Sequence, residues 1–139
     1  MIIRADGSFE HLPEGDLAFE KLKEALGGGD IGYARAHGLE PPRHFGFSRD
    51  KVSSFVHRIE NLWFYCDDNG LAKKLPLNVC GCMVYGLDTS PVVGDIVLVG
   101  EGHTEDPVIL PLHEQELIRA WLEEQQQLLY EKIGYAGEA

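Results

Sequence analysis

"LPLNVCGCMVYG", residues Leu75–Gly86, is followed by the valine-rich run Val92–Val99 and preceded by the apolar run Leu62–Cys66. Proline suits a first helical turn, where its missing N–H has no partner to lose. Asn78 can bond backbone groups exposed near that turn, Val79, Met83 and Val84 give an apolar face, and Gly86 ends the piece. The stretch therefore predicts a short helix over about 76–85. Leu62-Trp63-Phe64-Tyr65-Cys66 reads as a buried strand closed by the turn residues Asp67-Asp68-Asn69-Gly70, with Leu71–Lys74 beginning a return. Val92–Val99 reads as a second strand, central and buried on both faces.

Working outward, Ile2–Ala5 reads as a short strand, Asp6-Gly7 as a turn and Ser8–Leu12 as the returning arm of a hairpin. Asp16 can cap a helix in which Leu17, Ala18, Phe19, Leu22, Ala25 and Leu26 share one side, ended by Gly27-Gly28-Gly29. Glycines after a helix are in the wrong order for a phosphate cradle, which uses the N-terminus of the following helix. Ile31–Arg35 suits a strand. Near the C-terminus Leu117, Ile118, Trp121, Leu122, Leu128, Leu129 and Ile133 form an apolar stripe at helical spacing, with His113 and Glu116 laid out as a capping box and Leu112 against Leu117 as its staple. The expected fold is α+β: a small, mostly antiparallel sheet with two to three helices (16–26, about 76–85 and 113–133) packed on one face. All 139 residues read as a single domain, with an irregular insertion at 30–58.

Composition narrows function by exclusion. At 44% hydrophobic the chain can build a core, and no apolar run approaches the roughly 20 residues of a membrane span. No basic region followed by a long apolar stretch is visible at the start, so a cytoplasmic location is expected. Three cysteines there imply reduced thiols. The net charge of −11 opposes nucleic acid and anionic membranes. It is uneven: residues 101–139 hold nine acids against two bases, whereas residues 35–58 hold five bases against two acids. A basic-aromatic segment of that kind, with Arg35, Arg43, His44, Phe45, Phe47 and Arg49, could take a small anionic ligand or a nucleotide.

Leu75, Pro76, Asn78, Tyr85, Gly86, Gly94 and Asp95 match a Leu-Pro-x-Asn … Tyr-Gly … Val-Gly-Asp pattern. In this the chain resembles a family of small proteins of unknown function encoded by phages, plasmids and bacterial genomes. The resemblance covers about residues 60–100 well and 1–27 loosely, and it brings no established activity. Its members carry small residues near the positions of Cys80 and Cys82, which implies that these cysteines pack as small hydrophobes.

Direct chemical signals are few. Cys80 and Cys82 would lie about 200° apart around a helix, so they cannot hold one metal without unwinding it. Gly81 between them points to a closely approaching neighbour. The six histidines form no metal-binding spacing; a zinc site would have to be assembled from distant residues such as Cys66 and a histidine. Asp67 and Asp68 are explained by turn chemistry and raise the Cys66 thiol pKa. The expectation is a protein with no cofactor, metal or catalytic residue: a non-enzymatic accessory or regulatory protein of a mobile element or phage that binds a protein partner. The broad C-terminal stripe adds a homodimer contact. The alternatives are the anionic-ligand module and a small enzyme using Cys66 or scattered histidines.

Overall fold

The computed structural model describes residues 1–39, 61–86, 90–100 and 107–137. The element order is β1 (Ile2–Ile3), β2 (Phe9–Glu10), β3 (Gly15–Asp16), α1 (Phe19–Ala25), β4 (Ile31–Arg35), β5 (Trp63–Asp67), α2 (Val79–Tyr85), β6 (Ile96–Val99), β7 (Val108–Ile109) and α3 (Leu112–Gly137). Five strands form one sheet in the order β2-β1-β6-β5-β4, every neighbour antiparallel, and β3 pairs with β7 in a separate two-stranded ribbon. The α+β expectation, with its small antiparallel sheet, holds.

Strand alternation sorts the core into two layers. Ile3, Phe64, Ile96 and Leu98 face Cys80, Met83 and Val84 of α2 and Leu117, Ile118, Trp121 and Leu122 of α3. Ile2, Tyr65, Val97 and Val99 face Leu22 of α1 and its C-cap Leu26, with Ile109 beside them. All four residues of β6 are buried, as a strand covered on both faces must be. Two helices therefore share one face, and α1 lies on the other.

Several local expectations are corrected. Asp16 is not a helix cap: it pairs with Val108 in the ribbon, and α1 begins after Ala18 with no side-chain cap. Only Leu22 of α1 is fully buried, while Phe19 is 37% exposed. The glycine stop does hold, with Gly27 and Gly28 at φ 97° and 83° and Gly28 N–H donating to Lys23 C=O at 2.7 Å. Residues 71–74 form no return strand. They coil on as turns, with Lys73 N–H on Asn69 C=O at 2.9 Å and Leu75 N–H on Gly70 C=O at 3.0 Å. Pro76 stays outside α2, which starts at Val79 with Asn78 as its cap. The expected 92–99 strand is interrupted at Gly94 (φ 74°), so that Val93 only bridges Leu77 and β6 runs from Ile96. His113 does not cap α3: the first turn bonds to Pro111 C=O through Glu114 and Gln115 N–H, and Leu112 is 52% exposed rather than stapled.

Two buried amides lock these layers. Gln115 is fully buried; its Oε1 accepts from Leu12 N–H at 3.0 Å and its Nε2 donates to Leu12 and Leu110 C=O, both at 2.8 Å. The chain after β2 is thereby tied to the start of α3. The second amide belongs to Asn78.

Candidate functional site

Asn78 has no exposed surface, and its polar atoms are all satisfied. Nδ2 donates to Ile3 C=O at 3.0 Å and to Gly94 C=O at 2.8 Å, while Oδ1 accepts from Gly81 N–H at 2.8 Å and so caps α2. Asn78 N–H adds a bond to Val92 C=O at 2.8 Å. Around it the other resemblance residues assemble. Asp95 Oδ1 accepts from Ala5 N–H at 3.0 Å, and Gly94 N–H donates to Pro76 C=O at 2.8 Å. A Cβ on Gly94 would meet Leu75 Cδ1 at 2.8 Å. Gly81 has the close neighbour expected of it, since a Cβ there would meet Val92 Cγ1 at 2.8 Å. Leu75, Pro76, Asn78, Gly94 and Asp95 are thus one structural knot joining β1, α2 and the lead-in to β6.

The two cysteines point apart within that knot. Cys80 is buried against α3, its Sγ 3.7 Å from Gln126 Oε1, and burial followed by the Glu123 charge pushes its thiol pKa up to about 11. Cys82 Sγ accepts from Val92 N–H at 3.3 Å. Among the described residues no group of three or more His, Cys, Asp and Glu side chains lies together as a metal site would require.

Tyr85 and Gly86 end α2, where the chain beyond β4 runs against them. Gly38 N–H donates to Val84 C=O at 2.9 Å, and a Cβ on Gly38 would overlap Met83 C=O. Tyr85 meets Phe64 edge to face, with ring centroids 5.3 Å apart. Here the β4–β5 border opens into a cleft of about 290 Å³. Gly32, Tyr33 and Ala34 of β4 and Phe64 and Cys66 of β5 line it together with Tyr85, the turn after β5 and residues 90–93. Asp67 is turned to Lys73 Nζ at 2.7 Å and to Asn69 N–H at 2.9 Å; the Lys73 hydrogen bond holds its carboxyl below the usual range. Asp68 is exposed and lies across Gly32, where a Cβ would meet its Oδ1 at 2.7 Å. Burial first, then Asp68 and Asp67, pushes the Cys66 thiol up. A raised thiol pKa leaves less of the nucleophilic thiolate.

The opposite face of the same border is aromatic. Tyr33 stands directly across from Tyr65, with ring centroids 5.8 Å apart, and 5.6 Å from the Trp63 ring. Phe19 of α1 meets Tyr65 edge to face at 5.9 Å. Tyr65 is buried, but Tyr33 is 56% exposed and Phe19 37%. Composition and spacing gave no notice of this surface; the alternation Trp63, Tyr65 was its one local signal.

Of the basic-aromatic candidates, Arg35 closes β4, exposed and paired in register with Trp63. Arg43, His44, Phe45, Phe47 and Arg49 lie outside the described residues. In α3, Trp121 and Leu122 are buried in the chain's own core, so they are not available to a second copy, whereas Leu128 is 46% exposed. No helix among the described residues is long and apolar enough to cross a membrane. No protein-family model, curated protein or solved structure matches the chain.

Proposed function

We propose that the protein is a non-enzymatic accessory or regulatory protein, of the kind carried by phages and other mobile elements, that acts by binding a protein partner through the aromatic face of β4 and β5. The observation that carries this reading is Tyr33, 56% exposed while packed on Trp63 and Tyr65 at the border of the sheet. Tyrosine and tryptophan supply large contact area at low entropy cost and dominate binding energy at protein interfaces. A ring held by two neighbours in this way is already ordered before a partner arrives. The raised thiol pKa of Cys66 and the turn-bound Asp67 favour binding over catalysis. Capture of a partner from the source cells by the tagged protein tests the reading: Tyr33→Ala should lose a partner that an Arg119→Ala control on the opposite face retains. Equal recovery by both variants, or no specific partner for the unaltered protein, would reject it. The exposed Leu128 supports a second copy of the chain as a further partner through the distal part of α3.

A further inference from the structure

We propose that the cleft between β4, β5 and the end of α2 is a binding site for a small organic ammonium, a primary amine carrying an apolar or aromatic body. The cleft is about 290 Å³, the lower limit of ordinary small-ligand sites. Its walls include two aromatic rings, Phe64 and Tyr85, held edge to face at 5.3 Å. Ala34, Val92 and Val93 add apolar surface.

Charge decides what such a space prefers. The described lining holds two carboxylates and no Lys, Arg or His. Asp67 already has Lys73 at 2.7 Å, so its charge is met. Asp68 has no ion-pair partner among the described residues, and its carboxylate is laid over Gly32 at the cleft. An ammonium there would donate a charge-assisted hydrogen bond to the Asp68 carboxylate and gain the attraction of ring quadrupoles for a cation. Tyr85 and Ser90 belong to the same lining, and a hydroxyl is an acceptor of the kind its remaining N–H groups need. An anion would meet the opposite field, and a neutral body of the same shape would leave the Asp68 charge uncompensated. The chain's net charge of −11 adds to the local preference by drawing cations toward it. Gly32 is part of the device: only a residue without a Cβ lets the Asp68 carboxylate rest against β4.

Benzylamine, with benzyl alcohol and benzoate as neutral and anionic controls, tests this by titration into the isotopically labelled chain. The result expected is saturable benzylamine shifts at the amides of Gly32, Cys66, Asp68 and Tyr85, with benzyl alcohol weaker by about tenfold or more, the range of a hydrogen bond to a charged group, and benzoate weaker still. Asp68→Asn should abolish the preference for benzylamine over benzyl alcohol while leaving amides on the α1 face unmoved. Gly32→Ala, which displaces the carboxylate, should weaken benzylamine in the same direction. Benzylamine and benzyl alcohol binding equally to the unaltered chain, or no saturable shift with benzylamine, would overturn the proposal without need of any variant. Undiminished preference in Asp68→Asn would overturn it as well.

Discussion

Asn78 shows how much one side chain can carry. Its amide joins Ile3, Gly94 and Gly81, three backbone groups from three parts of the chain, with no exposed surface of its own. Asn78→Ala leaves all three unpaired, and each buried orphan costs about 1–3 kcal/mol. The variant should lose at least about 3 kcal/mol in urea denaturation. Asn78→Asp keeps the acceptor for Gly81 but turns a charged oxygen toward two carbonyls, so it should be worse than alanine at neutral pH and recover in acid, where the carboxyl can donate. Equal loss in the two variants would show that the Ile3 and Gly94 bonds matter little. Cys80 gives a second residue-scale test. With its thiol pKa pushed up to about 11 by burial and Glu123, it should resist alkylation in the native chain at neutral pH and react only on unfolding. Rapid native labelling at Cys80, mapped by peptide mass, would contradict its place under α3.

At the scale of elements, α3 closes the core through Leu117, Ile118, Trp121 and Leu122 and carries Leu128 at 46% exposure. Trp121→Ala should destabilise the chain by about 3–5 kcal/mol, the cost of emptying a large buried site, whereas Leu128→Glu should leave stability within about 0.5 kcal/mol. If the distal part joins two copies, light scattering should find a dimer for the unaltered chain and a monomer for Leu128→Glu; a monomer in both would remove α3 as an interface. The turn after β5 carries a pH signature. The Lys73 hydrogen bond lowers the Asp67 pKa below its ordinary 3.8, so the native state favours the ionised form. That contribution is present above 3.8 and is lost as pH falls through the lower folded value. Asp67→Asn should therefore be less stable than the parent at neutral pH, with the gap closing in acid; a gap independent of pH would contradict the pair. Elements that rest on local chemistry were legible in the sequence: the Asp6-Gly7 hairpin turn, the Leu62–Cys66 strand, the glycine stop of α1 and the Leu117–Leu122 part of the α3 stripe. Those created by distant partners were not. The β3–β7 ribbon has two residues a side, too few for periodicity to register, and it took Asp16 from the cap assigned to it. A proline before an apolar run resembles a helix start, yet Pro76 lies outside α2 and its carbonyl is used by Gly94 instead.

For the whole molecule, the β4–β5 border gathers both surfaces to which a role is assigned, the aromatic face on one side and the cleft on the other. Neither was readable along the chain, because Tyr33 and Tyr65 meet only through sheet register and Tyr85 reaches Phe64 only through the packing of α2. The resemblance residues Leu75, Pro76, Asn78, Gly94 and Asp95 were legible as a pattern, and the structure gives them a framework role. Tyr85 alone among the pattern's residues also lines the cleft. The proposed binding role requires Tyr33 to stand apart from the framework, which stability and partner capture, measured on one preparation of Tyr33→Ala, put to the test. A ring that is 56% exposed gives up little burial on truncation, so urea denaturation should show a loss of no more than about 1 kcal/mol, while capture of the partner should fall to background. A loss of several kcal/mol with capture unchanged would place Tyr33 in the framework and contradict the account.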